Sequence, residues 1–282
     1  MPLIEHQLVL GRYVQAPGAD ASPSLAADMV QGLTIDPQEL AELDALMHSS
    51  GFRFTRRVQR SWCIARTAST AQLTLSLVPV EQRRQLVGDW VEAGGGKAFD
   101  PASEAEAFLE YVARHLTDPS HALSVCRMEQ AAYRASGGAL RFAPPDLSLL
   151  DHPDAMLRAG NAAALVRFFA QPRRLFDAIA AKEPLPPLSD PPFPVLFAPG
   201  LPKLYRAANR DEEVIWEKLA RPVAVSALSR DGHARHAISE LFSIGAADLA
   251  AEMRLDAARA HEAAAMRAPL KPGMSPFRRT IY

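Results

Sequence analysis

Reactive side-chain types crowd into one stretch, HALSVCRMEQAAYRASGG, which brings Cys126, Arg127, Glu129 and Arg134 close together along the chain. A thiol beside guanidinium groups and a carboxylate is raw material for nucleophilic or acid–base chemistry. Helical spacing takes the group apart. At about 100° per residue, Ala122, Val125, Cys126, Glu129, Ala132, Tyr133 and Ser136 share one arc, with Glu129 in its middle. Arg127 and Arg134 lie on a second arc with Leu123 and Gln130, and Ser124, Met128, Ala131 and Ala135 form a third. A helix that is small or apolar on most sides belongs at the centre of a bundle. A carboxylate on its packed face must be paired or shifted toward its neutral form. The structural reading makes Glu129 half of a buried ion pair, with Arg57, Arg60 or Arg66 of a neighbouring helix as partner. The functional reading makes it a general acid or base, but no histidine shares its face. The ion pair is the expectation.

Other motifs carry less. The glycines of AGGGKAF end a helical pattern, and Ala98 follows Lys97 where a phosphate loop needs Ser or Thr. They read as a helix C-cap and loop. In DGHARHAISE, His233, His236 and Glu240 share a helix face, a spacing that suits metal ligation; a polar helix start is the plainer reading. Arg53, Arg56, Arg57, Arg60 and Arg66 form a basic stripe on a segment without acidic residues. Nucleic acid, a docked protein, or ion pairs to acidic helices would each answer it. The final SPFRRTIY joins aromatics to arginines, a composition favoured at interfaces, or is a loose end. No Ser-x-x-Lys, Gly-x-Ser-x-Gly or Cys–His signature is present.

These residues need elements to hold them. Asp36-Pro37 and Asp100-Pro101 are helix starts, an N-cap followed by proline in the first turn. Helical patterns then run over IDPQELAELDALMHSSG, over FRFTRRVQRSWCIARTASTAQLTLSL, from Pro79 to the glycine run, through DPASEAEAFLEYVARHL, and through the opening stretch. Beyond Leu140 the texture changes. LRFAPPDLSLL reads as extended, and DAMLRAGNAAALVRFFAQP as a hairpin about Gly160-Asn161. RRLFDAIAA is a short helix, and PVLFAPGLPKLYRAA a second hairpin with proline at strand starts or edges. RDEEVIWEKL and the residues from Ser229 to Arg267 return to helix. The expected fold is α+β: an N-terminal helical bundle followed by a small hairpin-built β-sheet with short helices. The expected division is a flexible lead-in over 1–24, a bundle over 25–138, an α+β recognition domain over 139–250, and a helical and extended tail over 251–282.

Composition bounds the function. With 48% hydrophobic residues the chain can fill a core, and 31 basic against 32 acidic residues leave no chain-wide field for nucleic acid or anionic lipid. Cys63 and Cys126 stand far apart in apolar company, as free thiols of a reducing compartment do. No run approaches a membrane span, and the N-terminus lacks the pattern of a secretory signal. A cytoplasmic location is expected.

HALSVCRMEQAAYRA, preceded by AFLEYVARHL and followed by AALVRFFAQPRRLFDAI and PVLFAPGLPKLYRAANRDEEVIWEKL, resembles the matching parts of the methanobactin-biosynthesis accessory subunits. These are the MbnC-like proteins, within a wider group of HvfC/BufC-type partner proteins. The resemblance covers roughly residues 60–250; the N-terminal extension and the residues after 250 depart from it. It implies an obligate, noncatalytic partner of a TIM-barrel oxidase. The barrel subunit holds the iron, and this chain holds no cofactor, metal or catalytic residue of its own. The pair modifies cysteines of a ribosomally made precursor peptide, giving an oxazolone and an adjacent thioamide in the methanobactin case. The accessory chain helps to bind the leader of that peptide. Hairpins offer an edge for an added strand. Arg127, Arg134, Leu165, Arg167, Phe169, Lys203 and Tyr205 are the candidate leader- or partner-binding residues, with cations suited to an acidic leader. The alternative is a nucleic-acid-binding regulator using the basic stripe over residues 53–66.

Overall fold

The computed structural model describes residues 3–15, 32, 36–97, 100–229 and 232–250. The chain is α+β, with two three-stranded antiparallel sheets among the described residues where the sequence suggested one. The described residues form two compact units, and both are discontinuous: those up to Phe142 with 161–208, and 143–160 with those from Asn209 to Ala250. The chain therefore does not divide in series at residue 138.

The first unit opens with α1 (Leu3–Gln15), in part of the span expected to be a flexible lead-in. Val9 and Tyr13 are buried, and the Tyr13 ring meets Phe52 edge-on, so apolar burial holds this helix in place. α2 (Pro37–His48) starts where Asp36 predicts. The Asp36 carboxylate accepts from Gln38 N (2.7 Å) and Glu39 N (3.0 Å), and Glu39 closes the capping box. α3 (Ser50–Thr70) follows at once because Ser49 ends one helix and caps the next, accepting from Phe52 N at 3.2 Å. α4 (Gln72–Ser76) is short, and its N-cap residue Ala71 has no side chain to cap it. α5 (Val80–Glu92) stops at the glycine run, where Gly94 and Gly96 have φ of +100° and +83°. Those left-handed residues make the run a helix terminator, as read from the sequence. Asp100 caps α6 (Pro101–Ala113), and Ser120 caps α7 (His121–Ala139) by accepting from Leu123 N at 3.1 Å.

α7 is the spine of this unit. On one side Ala122, Cys126 and Tyr133 join a core built from Leu75, Leu86, Val87, Phe108, Leu109 and Val112. On the other, Val125, Ala131 and Ala135 pack with β2 (Ala164–Phe168), α8 (Pro172–Ala181) and β3 (Phe193–Phe197) through Val166, Phe168, Leu175, Val195 and Phe197. Small residues on α7 permit this close approach. Gly138 is the tightest point, since a Cβ there would sit 2.5 Å from the Ala162 Cβ. The sheet order is β2-β3-β4, with β4 at Tyr205–Ala207. The expected PVLF/KLYRAA hairpin is therefore present as β3–β4, with Leu204 at φ +63° closing the turn.

In the second unit, β1 (Met156–Ala159) is the middle strand between β5 (Val223–Ala224) and β6 (Ala247–Leu249). The hairpin expected about Gly160-Asn161 does not form: β1 pairs with β5 and β6, whereas β2 pairs with β3. Gly160 is used otherwise. Its N–H donates to Ala246 O at 2.7 Å, and a side chain there would collide with the Gly245 carbonyl. The stretch read as extended before Leu150 contains a 3-10 turn, Leu147–Asp151, started by Asp146 accepting from Ser148 N. α9 (Arg210–Lys218) has the Asn209/Glu212 capping box. α10 (Val225–Leu228) and α11 (Gly232–Ser243) complete the unit, α11 burying Ala237, Ile238, Leu241 and Phe242. Gly245, at φ +71°, ends the helical run, and residues 247–249 are strand rather than the expected helix. The tail over 251–282, with SPFRRTIY, lies outside the described residues.

Candidate functional site

A groove of about 400 Å³ lies between the polar face of α7 and strand β2. Leu123, Arg127, Gln130 and Arg134 line it from α7, and Leu165, Arg167 and Phe169 from β2 and the residue after it. Five of the seven candidate binding residues thus meet in one place. Lys203 and Tyr205 do not join them. They belong to the β4 side of the sheet, two strand spacings or about 10 Å away. Tyr205 is exposed there, its ring 5.6 Å from that of Phe197.

The hydrogen-bond parity of β3 orients both outer strands. Ala208 N donates to Pro194 O and Ala198 N to Leu204 O, each at 3.0 Å. The backbone of even-numbered β3 residues therefore points to β4, and that of odd-numbered residues to β2. In register, Val195 faces Val166 and Phe197 faces Ala164. The alternation leaves the N–H and C=O of Leu165 and Arg167 turned outward, toward the groove. The Arg167 carbonyl accepts from Ser124 Oγ of α7 at 3.0 Å, which confirms the direction. Val166 and Phe168 meanwhile bury their side chains beneath α7.

The arginines of the groove are held from behind by α6. Glu110 accepts from Arg127 Nη1 (2.6 Å) and Gln130 Nε2 (3.1 Å), and Arg127 Nη1 also donates to Gln130 Oε1 at 3.0 Å. Arg134 Nε donates to Glu106. The Gln130 hydrogen bond, then that of the Arg127 guanidinium, hold the Glu110 carboxyl below the usual carboxylate range against an opposing push from burial. Each guanidinium has donors beyond these bonds, so the groove presents oriented cations on a helix, beside outward-facing peptide groups. Such an arrangement suits an extended, acid-bearing chain. The sequence projection placed Arg127, Gln130 and Arg134 together; it missed Ser124, Glu106 and Glu110. The i, i+4 spacing of the two glutamates was their available signal.

Glu129 corrects its expectation. Its carboxylate accepts from Leu73 N (3.1 Å), Thr74 N (3.0 Å) and Thr74 Oγ1 (2.6 Å). These are the second and third N–H groups of α4, the donors that a capping side chain at Ala71 would have satisfied. Glu129 caps α4 from another helix, and among the described residues it is not half of an arginine ion pair. Two of the arginines proposed as its partner have other acids: Arg60 is paired with Glu92 and Arg66 with Glu104, the latter at 3.0 Å.

Cys126 is a core thiol. Its Sγ donates to Leu109 O at 3.2 Å, and burial pushes its pKa up to about 12. Burial raises the Cys63 thiol as well. Neither has the lowered pKa of a nucleophile. Among the described residues no group of three His, Cys, Asp or Glu side chains is placed to hold a metal ion. His236 and Glu240 share the α11 surface, while the His233 side chain lies outside what is described. No described helix is long and apolar enough to cross a membrane. No protein-family model matches the chain, and no curated protein matches it.

Proposed function

We propose that this chain is a noncatalytic partner subunit of an iron-dependent, peptide-modifying oxidase, akin to the methanobactin accessory subunits, and that the α7–β2 groove takes the leader of a ribosomally made precursor. The observation that carries this reading is the outward backbone of Leu165 and Arg167 beside Arg127 and Arg134. An extended leader adds as a strand to β2, and its acidic side chains meet the two guanidinium groups. Cysteine oxidation, to oxazolone- and thioamide-type products, falls to the partner, which supplies the iron. The setting is cytoplasmic, where the two thiols stay reduced. The competing reading, a nucleic-acid regulator, draws on the stripe over 53–66. Arg60 and Arg66 of that stripe already serve Glu92 and Glu104, which weakens its claim.

Co-expression with a TIM-barrel iron oxidase and a short cysteine-bearing peptide encoded beside this chain tests the proposal. The expected result is a stable heterodimer that binds the leader. Cysteine oxidation by this chain alone would overturn the noncatalytic assignment. Failure to associate with the oxidase would overturn the partner assignment. Salt-sensitive DNA binding by the isolated chain would favour the regulator instead.

A further inference from the structure

The outer face of α3 carries a second feature that the groove does not use. Phe54, Val58 and Trp62, at i, i+4 and i+8, are 67%, 52% and 56% exposed. On a helix they form one stripe. Three large apolar side chains aligned on a surface differ from the scattered single ones found on any protein. The stripe has a charged border of one sign. The 21 residues of α3 include no Asp or Glu. Arg53 and Arg57 run along one flank, both exposed and without an ion pair to any described residue. On the other flank Arg66 lies over the Trp62 ring, 5.6 Å from its centroid, and is itself fixed by Glu104, whose side chain is only 7% exposed. Trp62 is thus a large aromatic held on a rigid support yet open on its outer face, the character of an interface anchor.

We infer that this face of α3 docks a helix of a partner protein whose own apolar stripe is bordered by Asp or Glu. Charge decides among the possible occupants. A second copy would set arginines against arginines, with no acid on either helix, and like charges across an interface are costly. Nucleic acid would need the full basic stripe as phosphate contacts, and two of its five arginines are committed to Glu92 and Glu104. An acidic amphipathic helix satisfies both the apolar stripe and the Arg53/Arg57 border. This site is separate from the leader groove and does not rest on the leader reading.

The test uses the full chain and a fluorescein-labelled 18-residue synthetic helix with leucines at i, i+4, i+7 and i+11 and glutamates on both flanks. The same helix with lysines for glutamates, and a labelled single-stranded 20-mer oligonucleotide, are the comparison probes. The glutamate helix should bind and shift the Trp62 emission to the blue, and the lysine helix should bind at least ~tenfold more weakly. Trp62→Ala should weaken the glutamate helix at least ~tenfold. Arg53→Glu with Arg57→Glu should reverse the preference, so that the lysine helix now binds better. A gain of binding cannot come from misfolding. The inference is overturned by absence of binding, by equal binding of the two helices, by oligonucleotide binding that Arg53→Glu abolishes, or by a homodimer that Trp62→Ala dissolves. Leader binding at β2 should be the same in all of these variants, so the two sites succeed or fail apart.

Discussion

β2 and β4 are the two outer strands of one sheet, and they present different things to the surroundings. β2 is five residues long and has α7 alongside, which supplies Arg127 and Arg134 and turns its outer edge into one wall of a groove. β4 is three residues long, and the side chain of Arg206 donates back to the Ala207 carbonyl on its outer edge at 3.1 Å. A short strand that covers its own edge resists pairing with another chain. An edge strand alone does not make a groove; a neighbouring helix that leaves room and brings charge is what separates the two.

The largest expected effect comes from removing a donor from one edge and then the other. Leu165→Pro deletes an outward N–H without breaking the β2–β3 ladder, and the proline ring also blocks strand addition. Leader affinity, measured by fluorescence anisotropy, should fall about hundredfold. Ala207→Pro, the matching change on β4, should leave it unaltered; an equal loss in both variants would erase the distinction between the edges. Next is the helix that forms the wall. Glu129→Ala removes the cap of α4, costing about 1–2 kcal/mol of stability by chemical denaturation, with leader affinity retained. Arg127→Ala combined with Arg134→Ala should weaken an acidic leader about tenfold and flatten the salt dependence of binding. Ser124→Ala works in the opposite direction. It releases the Arg167 carbonyl to the groove, and affinity should hold or rise by a few-fold.

The smallest effect is in pH. Glu110 has a folded-state pKa below its ordinary value, so its contribution to stability is present above the unfolded-state pKa and lost as pH falls through the folded-state value. The difference in Tm between the parent and Glu110→Gln should therefore narrow between pH 6 and pH 3. Partial exposure of both partners keeps this effect modest.

The reach of sequence reasoning follows the range of the interaction. Asp36-Pro37, Asp100-Pro101 and the glycine run marked helix ends because caps and left-handed turns are settled within a few residues. The arcs of α7 were also legible, since a helix pattern specifies which residues share a face. What failed was partner choice. The pattern around Gly160-Asn161 looks the same whether two strands pair with each other or, as here, with β5, β6 and β3. Glu129 was rightly placed on a packed face, but its partners are backbone amides 55 and 56 residues away in sequence. Nothing about Leu73 or Thr74 as residue types announces a bare helix end. The groove shows the same split: its α7 wall was visible in the spacing, whereas its acidic backing from α6 depended on how two helices meet.

The cap that Glu129 lends to α4 ties the order of two segments together. A five-residue helix has little intrinsic stability in water, so α4 exists as a helix only while α7 is docked against it. Hydrogen exchange would register this as shared fate. The Leu73 and Thr74 amides should open with α7 in a single cooperative event, and in Glu129→Ala they should exchange by local fraying while the α7 amides keep their protection.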